Sequence, residues 1–392
     1  MRTTTRVLVA LTTASLAVTG ASGVAEASTR PHSPGPVVVV SGLNNPRQLS
    51  LVNDNVLLVA EAGKGGTLAT ATDPEGGVQG IGRTGSISLV VLPQYVKNQH
   101  PHRIISGLLS AAGPDGSGAT GPDGVSARSL LNISIQQTAF PPDVVPKADA
   151  KTNGALLESR YLGKPRPVAD VAGYEQRYNP DRQEINANPY AVLQLANGDR
   201  LVADAGGNYI LRVDRWGHRS VFHVFSNIVN ATCLDPALQQ PPPSKPGCQF
   251  VPTSLATDRW GHIYVGALAG LVPGQGRVVE LSADGRHELH TWTGLTSVTG
   301  VAVSWDGSLY ASQLFAPEQA PANPALQGVL TKISRNGHRT NVDVPFPAGV
   351  AVDKRGNVYV SAYSIAPDTG LVDPMSNAPI PNTSGQVWRL CF

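Results

Sequence analysis

The chain has 392 residues with 41 Gly and 32 Pro, 15% charged residues and a formal net charge of +2. So dense a punctuation by turn residues, without long Glu/Lys-paired helical patterns, excludes a helical bundle and points to many short strands joined by loops. The near-neutral balance, with Arg2 and Arg6 at its extreme N-terminus, offers no basic stripe and excludes a nucleic-acid partner.

In chain order, Arg2 and Arg6 precede a short apolar core, "VLVALTTASLAV", and Ala25-Glu26-Ala27 offers small residues for cleavage before Ser28. Residues 1–27 therefore read as a signal peptide and 28–36 as a disordered linker, so the expected location is secreted and extracellular. No other segment reaches the roughly 20 apolar residues of a membrane span. A strand, "PVVVVSG" (Pro36 to Gly42), comes next.

The following stretch, "NPRQLSLVNDNVLLVAEAG" (Asn45 to Gly63), returns as "NPYAVLQLANGDRLVADAG" (Asn188 to Gly206). In both, an acidic residue lies fifteen positions after the Pro: Glu61 after Pro46, and Asp204 after Pro189. Six segments keep this spacing, with Pro46, Pro122, Pro189, Pro252, Val298 and Pro347 at their second position. Counting fifteen onward gives Glu61, Gln137, Asp204, Ala267, Gln313 and Ala362. Each segment passes through a polar turn such as "NGD", "RWGH", "WDGS" or "KRGN" into a second apolar run; Gly supplies positive φ there at little steric cost.

Third strands follow as "NYILRVDRWG", "GRVVELSADG", "GVLTKISRNG" and "GQVWRLCF", and fourth strands as "RSVFHVF" and "HELHTWTG". The spacing from Pro252 to Val298 is 46 residues and from Val298 to Pro347 it is 49. That is the length of a four-stranded propeller blade. The earlier, longer copies need insertions near 70–82 and 140–187, the second containing "PVADVAGYEQRYNP" as a short helix. The expected fold is all-β, a six-bladed β-propeller of four-stranded antiparallel blades over 37–392, with the N-terminal strand closing the last blade. Unrelated hairpins in a sandwich are the alternative.

The segments "GLNNPRQLSL", "TGPDGV", "VADVAGYEQRYNPD", "NPYAVLQLANGDRLVADAGGNYILRVD" and "VPTSLATDRWGHIYVGALAG" together resemble the ScyD/ScyE family, from about Val37 to Phe392. The resemblance implies an exported protein related to the NHL-type six-bladed propellers, and supplies no reaction or catalytic set. Gln48 departs from the Gly usual after Asn-Pro-Arg, and Gly207 from the more usual Ala; neither is expected to disturb a blade.

In a propeller the first strands line the central channel. The third residues of the six copies are Arg47, Asp123, Tyr190, Thr253, Thr299 and Ala348. With Glu61, Asp204 and Asn208 they are expected to form a polar ring at the channel mouth. Three readings follow: a structural network pairing Arg47 with Glu61 or Asp123, a pocket for a small polar or aromatic ligand, and a metal centre. For the last, Glu61, Asn188, Asp204 and Asn208 are the ligand types for calcium or another divalent cation, as in propeller lactonases. Asp115 and Asp123 lie in a Gly-rich loop where Asp is commonly a turn former. His218, His262 and His338 each follow Gly in hairpin turns, which argues for a turn role.

Cys233 and Cys248 bracket a Pro-rich loop and are expected to form a disulfide in an exported chain; Cys391 is left over. The expected function is a secreted, non-catalytic, monomeric binding module for an unknown small molecule or extracellular protein. The rival is a metal-dependent propeller hydrolase, lactonase or lyase using the acidic residues of the channel.

Overall fold

The computed structural model describes residues 35–72, 77–92, 97–238, 244–316, 328–367, 370–371, 380 and 383–392. The expected signal peptide, and the expected linker up to residue 34, lie outside the described residues.

Strand β1 (Val37–Leu43) leads into the first blade, β2 (Pro46–Asn53), β3 (Val56–Glu61), β4 (Ala69–Thr72), β5 (Val78–Val91) and β6 (His102–Ala112). The second blade is β7 (Pro122–Ser129), β8 (Asn132–Gln137), β9 (Ala155–Arg160) and β10 (Arg166–Asp170), followed by helix α1 (Val171–Tyr178). The third is β11 (Pro189–Gln194), β12 (Arg200–Asp204), β13 (Tyr209–Val213) and β14 (Arg219–Val224). The fourth is β15 (Pro252–Thr257), β16 (Ile263–Ala267), β17 (Gly276–Leu281) and β18 (Glu288–Leu295). The fifth is β19 (Val298–Val303), β20 (Leu309–Gln313), β21 (Val329–Ile333) and β22 (Arg339–Asp343). The sixth is β23 (Val350–Val352), β24 (Val358–Ala362) and β25 (Gly385–Leu390).

Each blade is an antiparallel sheet. The sixth has the order β1–β25–β24–β23, so its outer strand comes from the other end of the described chain. The fold is thus a six-bladed β-propeller. The first strands pack on one another in succession, β2 on β7, β7 on β11, β11 on β15, β15 on β19 and β19 on β23, and β23 packs on β2 to close the ring. The expected insertion near 70–82 is a ribbon in which the long β5 pairs with β4, giving the first blade a fifth strand. The insertion at 140–187 carries α1.

The blades bury alternating apolar residues between neighbouring sheets. Ala191, Leu201, Ala203 and Ile210 of the third blade meet Leu255, Ile263 and Val265 of the fourth, for example. At the axis the inner strands approach so closely that small residues are required. A Cβ on Gly300 would lie 2.2 Å from the Ala348 carbonyl oxygen. Gln48, by contrast, reaches across the axis. Its Oε1 accepts from the amides of Val125 and Val192, both at 3.2 Å, and so ties three inner strands together.

Cys233 and Cys248 form a disulfide at a sequence separation of 15, and Cys391 is free and exposed. Closing a loop of this size contributes about 3 kcal/mol in the chain-entropy model. The Cys233→Ser/Cys248→Ser variant should therefore lose about that much stability in urea titration. An unchanged midpoint would mean that the loop is held by its other contacts.

Candidate functional site

The inner strands share a local irregularity. In β2, β7, β11, β15 and β19 the strand register slips just after the second position, between Pro46 and Leu49, Pro122 and Gly124, Pro189 and Ala191, Pro252 and Ser254, and Val298 and Gly300. In these five copies the third residue lies in the bulge, and a bulge re-aims the side chain it carries; in the sixth, Ala348 lies just before β23. Arg47, Asp123, Tyr190, Thr253, Thr299 and Ala348 accordingly line one cavity on the axis, about 60 Å³ in volume.

Most of this ring is already hydrogen-bonded, to itself or to neighbouring groups. Arg47 Nε donates to Asp123 Oδ1 at 3.3 Å, Nη1 to the Ser364 carbonyl at 2.7 Å, and Nη2 to the Ala119 carbonyl. The hydroxyl of Thr138 donates to Asp123 Oδ2. Burial pushes the Asp123 carboxyl above its ordinary range, while the Arg47 charge and the Thr138 hydrogen bond pull it down. Thr253 Oγ1 donates to the Val298 carbonyl at 2.6 Å, and Thr299 Oγ1 to the Pro347 carbonyl at 2.9 Å, each reaching the next blade.

Three lining residues keep unused polar groups. Thr120 Oγ1 is buried with no hydrogen-bond partner. The Tyr190 hydroxyl and the Asn188 side-chain amide also make no hydrogen bond among the described residues. Burial raises the Tyr190 phenol to about 12, so it stays a neutral donor.

The residues at the fifteenth offset lie elsewhere. Five of the six face their own copy's second residue across the first strand pair, for example Pro46 opposite Glu61, Pro122 opposite Gln137 and Pro189 opposite Asp204. Glu61 is fully buried and accepts from the Asn44 amide (2.7 Å), the Ser86 and Ser88 hydroxyls (3.1 and 2.5 Å) and Arg103 Nη2 (2.7 Å). Asp204 Oδ1 accepts from the amides of Asn188, Gly206 and Gly207 at 2.8, 3.2 and 3.1 Å. Gln313 Oε1 accepts from the Thr296 amide at 2.6 Å in the same way. These three side chains brace the turn leading into their inner strand, and none lines the axial cavity. Asn208 is a pin between segments: Nδ2 donates to Asp181 Oδ2 at 2.9 Å and Oδ1 accepts from the Val251 amide at 3.0 Å. Glu61, Asp204 and Asn208, expected at the mouth, do not line this cavity. Of the four metal-ligand candidates, only Asn188 reaches the cavity. Asp115 is a turn former, its Oδ1 accepting from the Ser117 amide at 3.0 Å, and does not meet Asp123 in the ring.

A second, larger cavity of about 230 Å³ adjoins the first. One wall is Phe140, Pro141, Pro142 and Val145 from the loop between β8 and β9; the other is Gln176 of α1 with Asn186 and Asn188. Asn188 lines both cavities. Helix α1 holds its wall because Asp170 caps the N-terminus through the Gly173 amide at 2.8 Å, and Asn179 ends it at φ 40°.

Beneath α1 lies a group that sequence reasoning missed. Glu175 is fully buried, and its carboxyl has no side-chain hydrogen-bond partner among the described residues, only a weak contact with the Asn186 backbone. Burial, aided by the charges of Asp204 and Asp181, pushes its carboxyl from 4.5 up to about 8. Gly207 makes room for this packing, since a Cβ there would lie 2.4 Å from the Tyr209 ring and 2.9 Å from Glu175 Oε2. The available signal was the four-residue spacing from Val171 to Glu175, which puts a carboxylate on the apolar face of a short helix.

No protein-family model matches the chain. No curated protein matches it either. Among solved structures it is similar to a streptogramin B lyase, with TM-score 0.47, 10% identity, and coverage of 91% of this chain and 96% of that chain. It is similar to the calcium-binding protein regucalcin of Agrobacterium tumefaciens, with TM-score 0.47, 9% identity, and coverage of 91% and 93%. It is also similar to the PQQ-bound aldose sugar dehydrogenase of Streptomyces coelicolor, with TM-score 0.47, 12% identity, and coverage of 90% and 96%. Likenesses of this degree transfer no activity to the chain.

Proposed function

We propose that this chain is a secreted binding module of the ScyD/ScyE family that holds a small molecule at the two neighbouring cavities that share Asn188. The observation that carries the reading is Asn188, whose unbonded side-chain amide lines both spaces beside the unpartnered Thr120 hydroxyl and the Tyr190 phenol. The unmade hydrogen bond of the buried Thr120 hydroxyl is costly, and a ligand with polar atoms would complete it while meeting the half-buried Asn188 and Tyr190 side chains. Phe140, Pro141 and Pro142 supply an apolar wall for the rest of such a molecule. This favours a small aromatic compound with a polar edge. The leader-like N-terminus and the Cys233–Cys248 disulfide support export.

The hydrolase alternative gains no specific observation. Glu61 and Asp204 spend their carboxylates on turn amides and neighbouring side chains away from the axial cavity. The test is a thermal-shift screen with aromatic pigments, lactones and cell-wall fragments. A compound present at 100 times its Kd should stabilise the chain by about 2.7 kcal/mol. Asn188→Ala should abolish that shift and leave the unliganded melting temperature in place, because the structural bonds of Asn188 use its backbone. A shift indifferent to both Asn188→Ala and Tyr190→Phe, or no shift with any class, would overturn the proposal.

A further inference from the structure

The far ends of the inner strands, away from the axial cavity, carry a second group of side chains. Two of the hairpin turns there are built alike: Asp258 to Tyr264 between β15 and β16, and Asp353 to Tyr359 between β23 and β24. In each, the Asp Oδ1 accepts amides two and four residues on. The distances are 2.9 and 3.0 Å from Trp260 and His262, and 2.9 and 2.8 Å from Arg355 and Asn357. In each, Gly has positive φ, 86° at Gly261 and 85° at Gly356, and a Tyr hydroxyl lies 3.4 Å from the Asp Oδ2. The sixth blade thus shows what the turn needs for itself.

It does not need an imidazole or a second carboxylate. In the sixth blade Asn357 Nδ2 fills the Oδ2 of Asp353 at 2.7 Å, and the residue paired with Tyr359 on the next strand is Arg389. In the fourth blade His262 stands in place of the Asn, and the residue paired with Tyr264 is Glu280. His262 Nδ1 lies 2.8 Å from Glu280 Oε1 and 3.4 Å from Asp258 Oδ2. The three potential ligand atoms all fall within 4.8 Å of one another. The Tyr264 hydroxyl, 3.2 Å from Glu280 Oε1, closes one side.

We infer that Asp258, His262 and Glu280 form a binding site for a divalent transition cation of the zinc class, three protein ligands with solvent in the fourth position. One imidazole and two carboxylates are a donor set suited to such an ion, which binds N and O ligands at about 2.0–2.2 Å. The observed spacings need only small side-chain adjustments to meet that requirement. Charge points the same way, since two carboxylates face one imidazole and a neutral phenol. Burial fits a site that keeps a water: the side chains of Asp258 and Glu280 are 4% and 16% exposed, and that of His262 is 34% exposed. The cation would lock the β15–β16 turn to β17, independently of any ligand at the axial cavity.

The experiment uses the full chain, stripped with chelator and titrated calorimetrically with Zn²⁺, with Ca²⁺ and Mg²⁺ in parallel. The expected result is one equivalent of Zn²⁺ and a raised melting temperature, with no comparable response to Ca²⁺. His262→Asn installs the residue the sixth blade uses, so it should keep the metal-free melting temperature while weakening Zn²⁺ binding roughly tenfold or more. Glu280→Gln should weaken binding likewise. Unchanged Zn²⁺ affinity in His262→Asn, no Zn²⁺ binding at all, or an equal response to Ca²⁺ would each overturn the assignment.

Discussion

Replacing Arg47 by Met should cost the propeller about 3 to 5 kcal/mol, read as a lower urea midpoint, because it breaks a buried ion pair from one side only. Arg47 and Asp123 are both almost wholly buried. The guanidinium also takes the carbonyls of Ala119 and Ser364, so one side chain of the first blade holds the approach to the second and the loop after β24 of the sixth. Without it, Asp123 keeps the Thr138 hydroxyl but loses the charge that opposes its desolvation. The companion variant Arg47→Met/Asp123→Asn removes the stranded charge and should recover part of the loss, a coupling of about 1–3 kcal/mol. A loss below about 1 kcal/mol for Arg47→Met would mean that strand pairing alone closes the ring.

The blade repeat could be read before any coordinates because its spacing records a strand pair. A residue fifteen positions after the second-position Pro or Val is its partner across the hairpin in five of the six copies. The same pairing explains where sequence reasoning stopped short. Residues directly opposite each other share a face of the sheet, and the next residue along a strand points elsewhere. Glu61 and Asp204 therefore side with Pro46 and Pro189, while Arg47 and Tyr190 are turned to the axis by the bulges. A single-residue bulge leaves little mark in composition. The short helix within 140–187 was legible from "VAGYEQRY". That Glu175 would be buried against Asp204 was not, because the contact joins residues brought together only when the insertion folds back on the third blade.

Glu175→Gln should stabilise the protein in mild alkali and do little in acid, and the pH dependence is the diagnostic. Unfolded, the carboxyl releases its proton near 4.5; folded, burial first and then the Asp204 and Asp181 charges hold the proton to about 8. Between those values the native state binds more protons than the unfolded chain, so stability falls as pH rises and the loss is complete above the folded value. Asp204, raised from 3.8 to about 6 by its own burial, adds in the same direction over a lower window. Gln has the shape of the protonated acid and no proton to lose, so it should remove the Glu175 part of the slope. The variant's advantage should be near zero below about pH 4.5 and approach about 5 kcal/mol near pH 9, at about 1.36 kcal/mol per pKa unit. Urea midpoints for Glu175→Gln and the parent chain that stay parallel from about pH 4 to 9 would show that the carboxyl titrates as it does in water, and that α1 does not seal it from solvent.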